Sequence, residues 1–118
     1  MSKIICLSLI LYTFTSKLQI SMNNINLALQ ILPYGLPKDK AYAIVDEAIN
    51  VIATSGLKYI VCPFETVIEG PYDKVMQTVE TAQEAAFAAG AEDLLVYMKV
   101  QRSRSTDVAI TDKMEKYQ

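Results

Sequence analysis

The stretch LKYIVCPFETVIEGP, residues 57–71, decides how this chain folds. LKYIVCP is rich in β-branched and aromatic residues and reads as a strand. A short turn near Pro63–Glu65 follows, and residues 65–70 read as a second strand, so the two form a hairpin that Gly70-Pro71 closes. Along an extended segment alternate side chains face opposite ways. Glu65, Val67 and Glu69 are therefore expected on one side, with Thr66 and Ile68 on the other. Two like charges on one face of a short strand repel, and that placement calls for an explanation.

Outward from the hairpin the period changes. Tyr72, Val75, Met76, Val79, Ala82 and Ala86 recur at three and four, which predicts a helix closed by Gly90. DLLVYMKVQ, residues 93–101, predicts a last strand that is apolar on both faces in its middle. Upstream, INLALQIL (25–32) alternates like a half-buried strand, and PYGLP supplies turn chemistry. Pro37 suits the first turn of a helix whose stripe is Ala41, Ile44, Val45, Ala48, Ile49 and Ile52, with Gly56 as its stop. The order β-α-β-β-α-β predicts an α+β, ferredoxin-like fold: a four-stranded antiparallel sheet with two helices on one face. Two helices cover only one side of such a sheet. Leu32, Ile60, Phe64, Leu95 and Tyr97 cannot all point at them. A sheet with a second apolar face needs a partner, and a closed homo-oligomer is the default.

The chain has 118 residues, which predicts a single domain. Hydrophobic residues at 52% against 20% charged argue for a packed core over disorder. Residues 1–21 differ from the rest: they carry no acid and hold an apolar run from Ile4 to Phe14. The run is too short for a membrane helix, which needs about 20 residues. Lys3 and the apolar middle suit an export signal, but no small-residue cleavage site follows. The reading taken is a leader of doubtful status with Met22 as the true start, a domain over 22–104 in the cytoplasm, and a polar, weakly patterned tail over 105–118. Without Lys3 and Lys17 the 11 basic residues fall to 9 against 13 acidic ones, a net charge of −4. An acidic domain without a basic stripe is a poor nucleic-acid binder. Lys99, Arg102 and Arg104 read as a solvated strand end. Neither nucleic acid nor membrane is expected as a partner.

With no His, the chain lacks the commonest general base and metal ligand, and Ser-His-Asp and Cys-His arrangements are impossible. The four glycines stand singly, so there is no phosphate loop, and no metal-ligand spacing appears. Cys6 and Cys62 make no disulfide framework, and Cys62 is expected as a buried, reduced thiol. Glu65 and Glu69 leave two readings, an acid–base pair or two solvated carboxylates. A non-enzymatic binding module without cofactor or metal fits better than an enzyme, because no activated group can be named. Tyr34, Tyr59 and Phe64 lie near the first turn and the hairpin. Aromatic faces beside carboxylates suit a flat, cationic, hydrogen-bond-donating ligand. They suit an oligomer interface equally. A regulatory domain for another small metabolite, or an enzyme using the hairpin carboxylates, are the competing readings, since this fold hosts many functions.

LQILPYG, then GLKYIVCPFETVIEG, then a strand ending YMKVQRSR, resembles the small thiamine-binding protein family over about residues 25–104. Its members are stand-alone ferredoxin-like domains related to the hydroxymethylpyrimidine/thiamine-binding protein of thiamine salvage. The most specific match is the Thr-x-x-Glu-Gly run, here Thr66, Glu69 and Gly70, with the LP-x-G turn at Leu32, Pro33 and Gly35. A glycine commonly precedes that threonine in the family, and this chain has Glu65 instead. The resemblance implies a thiamine or hydroxymethylpyrimidine ligand, with dimers or tetramers formed by sheet extension and stacking. It also implies that Glu69 accepts from the ligand's amino group or balances its cation, and that Thr66 bonds a ring nitrogen. Tyr34, Phe64 and Glu65 complete the expected ligand-binding set.

Overall fold

A computed structural model describes residues 23–118. The leader and the expected Met22 start lie outside the described residues. Six elements follow in the expected order: β1 (Asn24–Pro33), α1 (Lys38–Ala53), β2 (Lys58–Val61), β3 (Thr66–Pro71), α2 (Tyr72–Ala88) and β4 (Leu94–Gln101). A short helix, α3 (Ile110–Met114), and a 3-10 turn (Glu115–Tyr117) end the chain. The sheet order is β2-β3-β1-β4, and every neighbouring pair is antiparallel. The α+β, ferredoxin-like architecture read from the sequence is the one observed.

The helix starts and stops follow local chemistry. Pro37 and Pro71 stand at the N-caps of α1 and α2, where a missing N–H costs nothing. Gly56 and Gly90 take φ of 84° and 117° just past the two helix ends, a conformation that side chains with a Cβ resist.

β1 runs through the centre of the sheet and decides the core. Ile25, Leu27, Leu29 and Ile31 point to the helices and are buried with Ile44, Ala48 and Ile52 of α1 and Val75, Val79, Ala82 and Ala86 of α2. The register brings Ile68 opposite Leu27 and Thr66 opposite Leu29, so both face the helices too. Gly70 completes this row against Ile25, and it is a packing glycine. A Cβ there would meet Leu57 Cδ2 at 2.8 Å and Val75 Cγ2 at 3.3 Å.

Opposite parity gives the second face. Leu32 pairs with Leu95, Gln30 with Tyr97, and Val67 lies between Ala28 and Ile60. Leu32, Ile60, Leu95 and Tyr97 are exposed there, Tyr97 at 56%. The apolar open face expected from the sequence is present. Phe64 is not part of it, because it sits in the hairpin loop, 79% exposed.

At one end this face turns polar. Lys58, Glu69, Asn26 and Gln101 fall in one row across all four strands. The tail lies along that row. Val108 N–H donates to Asn24 O (2.9 Å), and Asn24 N–H donates to Asp107 Oδ1 (2.7 Å). Asn26 Nδ2 donates to Val108 O (3.0 Å), Ile110 N–H to Glu69 Oε1 (2.6 Å), and Lys113 Nζ to Gln101 Oε1 (2.6 Å). Ile110 is buried by this docking. The tail was expected to be polar and weakly patterned. Its order comes from hydrogen bonds to residues some eighty positions away, which local pattern does not reveal.

Candidate functional site

The hairpin loop makes the site. Lys58–Val61 and Thr66–Pro71 pair, leaving Cys62 to Glu65 as a four-residue connection closed by Cys62 N–H donating to Glu65 O (2.8 Å). β3 therefore begins one residue later than the sequence reading had it. Burial still alternates through the loop end: Glu65, Val67 and Glu69 are half-buried, and Thr66, Ile68 and Gly70 are buried. Glu65 lines a cavity together with Thr66, whereas Glu69 meets Ile110 N–H and, at 4.0 Å, Lys58 Nζ. These partners of Glu69 offset the repulsion anticipated from the alternation.

The cavity has a volume of about 460 Å³. Thr66, Glu65, Phe64, Pro63 and Cys62 close it on the hairpin side, and Tyr42, Val45, Ala48, Ile49 and Ile52 of α1 form the opposite wall. Leu29 to Leu32 of β1 complete it. Thr66 is buried, Glu65 half-buried, and Phe64 and Tyr42 stand exposed at the mouth. Such a space, mostly apolar with a few polar groups, is of the size that holds a small ligand, about 300–1,000 Å³. A larger groove of about 790 Å³ lies between the helices, but it is lined mainly by alanines with Lys40 and Glu47 and offers no aromatic face.

Of the residues singled out in the sequence, Thr66, Phe64 and Glu65 come together here. Tyr34 does not line the cavity: it is exposed in the turn after β1, its N–H 3.5 Å from Asp93 O. Glu69 does not line it either. Cys62 was expected to be buried. It is a half-buried free thiol on the cavity wall, because the strand ends at Val61 and leaves Cys62 in the loop. Tyr42 was not singled out at all. Its signal was available: an aromatic on α1 that falls outside the apolar stripe of that helix.

A family model described as "Thiamine-binding protein" matches residues 27–118. The chain belongs to the thiamine-binding protein family. The match runs through the docked tail to the last residue. A UPF0045 protein of Clostridium perfringens is 32% identical over 96 residues, covering 81% of this chain and 99% of its own. Among solved structures, a DUF77 domain from Bacillus cereus aligns with a TM-score of 0.76 and 35% identity, over 81% of this chain and 91% of that one. A Thermotoga maritima protein described provisionally as a thiamine biosynthesis/salvage protein aligns with a TM-score of 0.73 over 80% of this chain and 99% of its own. At 21% identity it speaks for the fold alone. Family membership and the hairpin cavity are thus two independent observations on one chain, and among the described residues no helix is long and apolar enough to cross a membrane.

Proposed function

We propose that the hairpin cavity binds thiamine or its hydroxymethylpyrimidine moiety, without catalysis, in a cytoplasmic homo-oligomer. The observation that carries this reading is the convergence of Thr66, Glu65, Phe64 and Tyr42 on one small cavity of a chain in the thiamine-binding family. Thr66 lines the cavity and is buried, and a hydroxyl there suits a ring nitrogen. Phe64 offers a face for a cationic ring, whereas the Tyr42 ring already carries the Lys38 ammonium, 5.5 Å from its centroid. The apolar open face, with Leu32, Ile60, Leu95 and Tyr97 exposed, supports assembly with further copies of the chain.

The test is calorimetric titration of the full chain with thiamine and with hydroxymethylpyrimidine. Thr66→Val keeps the volume nearly constant and removes the hydroxyl. Loss of one hydrogen bond of about 1 kcal/mol predicts a several-fold weaker affinity for both ligands. Equal affinity in Thr66→Val and wild type would remove Thr66 from the site. Absence of binding by wild type would refute the ligand assignment.

A further inference from the structure

The cavity opens where the sheet is incomplete beside β1. The β1–β3 ladder runs from Asn24 opposite Pro71 to Leu29 opposite Thr66. β1 continues to Pro33 against β4 alone, while Cys62 to Glu65 form the hairpin loop. Past Leu29 the β3 side of β1 is therefore a strand edge, and Gln30, Ile31 and Leu32 line the gap. The polar side chains of the lining are Gln30, Tyr42, Cys62, Glu65 and Thr66. A carboxylate accepts only, and a hydroxyl carries its donor and acceptor on one atom. Among these side chains the Gln30 carboxamide alone holds a donor and an acceptor side by side in one plane. Asn26, Gln83 and Gln101 bond their carboxamides within the protein. Gln30 is half-buried, and its carboxamide has no hydrogen-bond partner among the described residues.

From these observations we propose that Gln30 selects the ligand's aminopyrimidine ring, its carboxamide pairing with the amino group and with the ring nitrogen beside it. The proposal rests on the ligand reading above and names the side chain that reads the ring. An amino group next to a ring nitrogen presents one donor and one acceptor side by side. A carboxamide meets such an edge with two parallel hydrogen bonds, as Asn and Gln do with adenine. Gln30 Oε1 accepts from the amino group, and Nε2 donates to the nitrogen beside it. A pyrimidine has a second ring nitrogen, which is left for the Thr66 hydroxyl, so the two side chains do not compete. In a mostly apolar wall a polar group left unpaired is costly, so a ring that lacks the amino group is rejected.

The experiment is calorimetry on the full chain with hydroxymethylpyrimidine and with its analogue carrying a methyl group in place of the amino group. It is run on wild type, Gln30→Met and Gln30→Val, each checked for native circular dichroism. Met keeps the length of the side chain without its polar atoms, and Val is a strong strand former should Met disturb β1. Wild type is expected to bind hydroxymethylpyrimidine at least about tenfold tighter than the methyl analogue, a difference of about 1.4 kcal/mol. Both variants should weaken hydroxymethylpyrimidine and shrink that preference several-fold. A preference that survives whole in the folded variants overturns the proposal. Gln30 lies opposite Tyr97 in the sheet, so sedimentation is measured on the same samples and should not change. Altered assembly with an unaltered preference assigns Gln30 to the open face and overturns the proposal too. Equal binding of the two rings by wild type defeats the role of Gln30 and leaves the ligand class standing. Failure of wild type to bind either ring defeats both.

Discussion

Replacing Glu69 by Gln should loosen the C-terminal segment without unfolding the domain. The Glu69 carboxylate accepts Ile110 N–H at 2.6 Å and is only 14% exposed. A hydrogen bond to a charged acceptor is worth about 1.5–3 kcal/mol and a neutral one about 1. The change therefore costs the docked tail about 0.5–2 kcal/mol, which raises its opening constant by about 2- to 30-fold. Lys58 adds little to this figure, because its ammonium stands 4.0 Å away on a side chain 45% exposed, and such pairs contribute about 0–1 kcal/mol. The other tail contacts, from Asp107, Val108 and Lys113, remain, so the effect stays local. Amide hydrogen exchange reads it residue by residue. Protection at Ile110 and its neighbours should fall by the stated factor while the amides of β1 keep theirs. Unchanged exchange at Ile110 would refute the latch, and an equal rise across β1 would show a global loss instead. Thiamine affinity should not change, since Glu69 lies outside the cavity. A fall in affinity would bring it back into the site.

Gly70→Ala should lower stability by about 1–3 kcal/mol, the usual cost of overpacking, because its Cβ would sit 2.8 Å from Leu57 Cδ2. Thermal unfolding measures it, and an unchanged midpoint would mean that Leu57 yields freely. Tyr97→Glu should abolish self-association while the monomer stays folded, because it puts a carboxylate in the middle of the open apolar face. Sedimentation of a folded Tyr97→Glu protein at the wild-type rate would refute stacking through that face.

Periodicity carried most of the fold. The alternation Ile25, Leu27, Leu29, Ile31 became the central row of the core, and the stripe Ile44, Ala48, Ile52 became the buried face of α1. Both are local consequences of the strand and helix repeats, so they were readable before any tertiary contact was known. The same parity placed Tyr97 on the open face. Burial alternates in the same phase as far as Glu65, one residue before the paired ladder begins at Thr66.

The amino-acid order by itself determined the elements, their sequence along the chain and the excess of apolar surface over what two helices can cover. Tertiary structure alone decided where the side chains meet. It joined Tyr42 to the hairpin across a cavity, parted Glu69 from Thr66, and laid residues 107–113 along Asn26 and Glu69. The physical reason is range. Propensity and periodicity act over a few neighbouring residues. A hydrogen bond from Asn26 to Val108 depends on the whole chain having closed, and no short segment contains it.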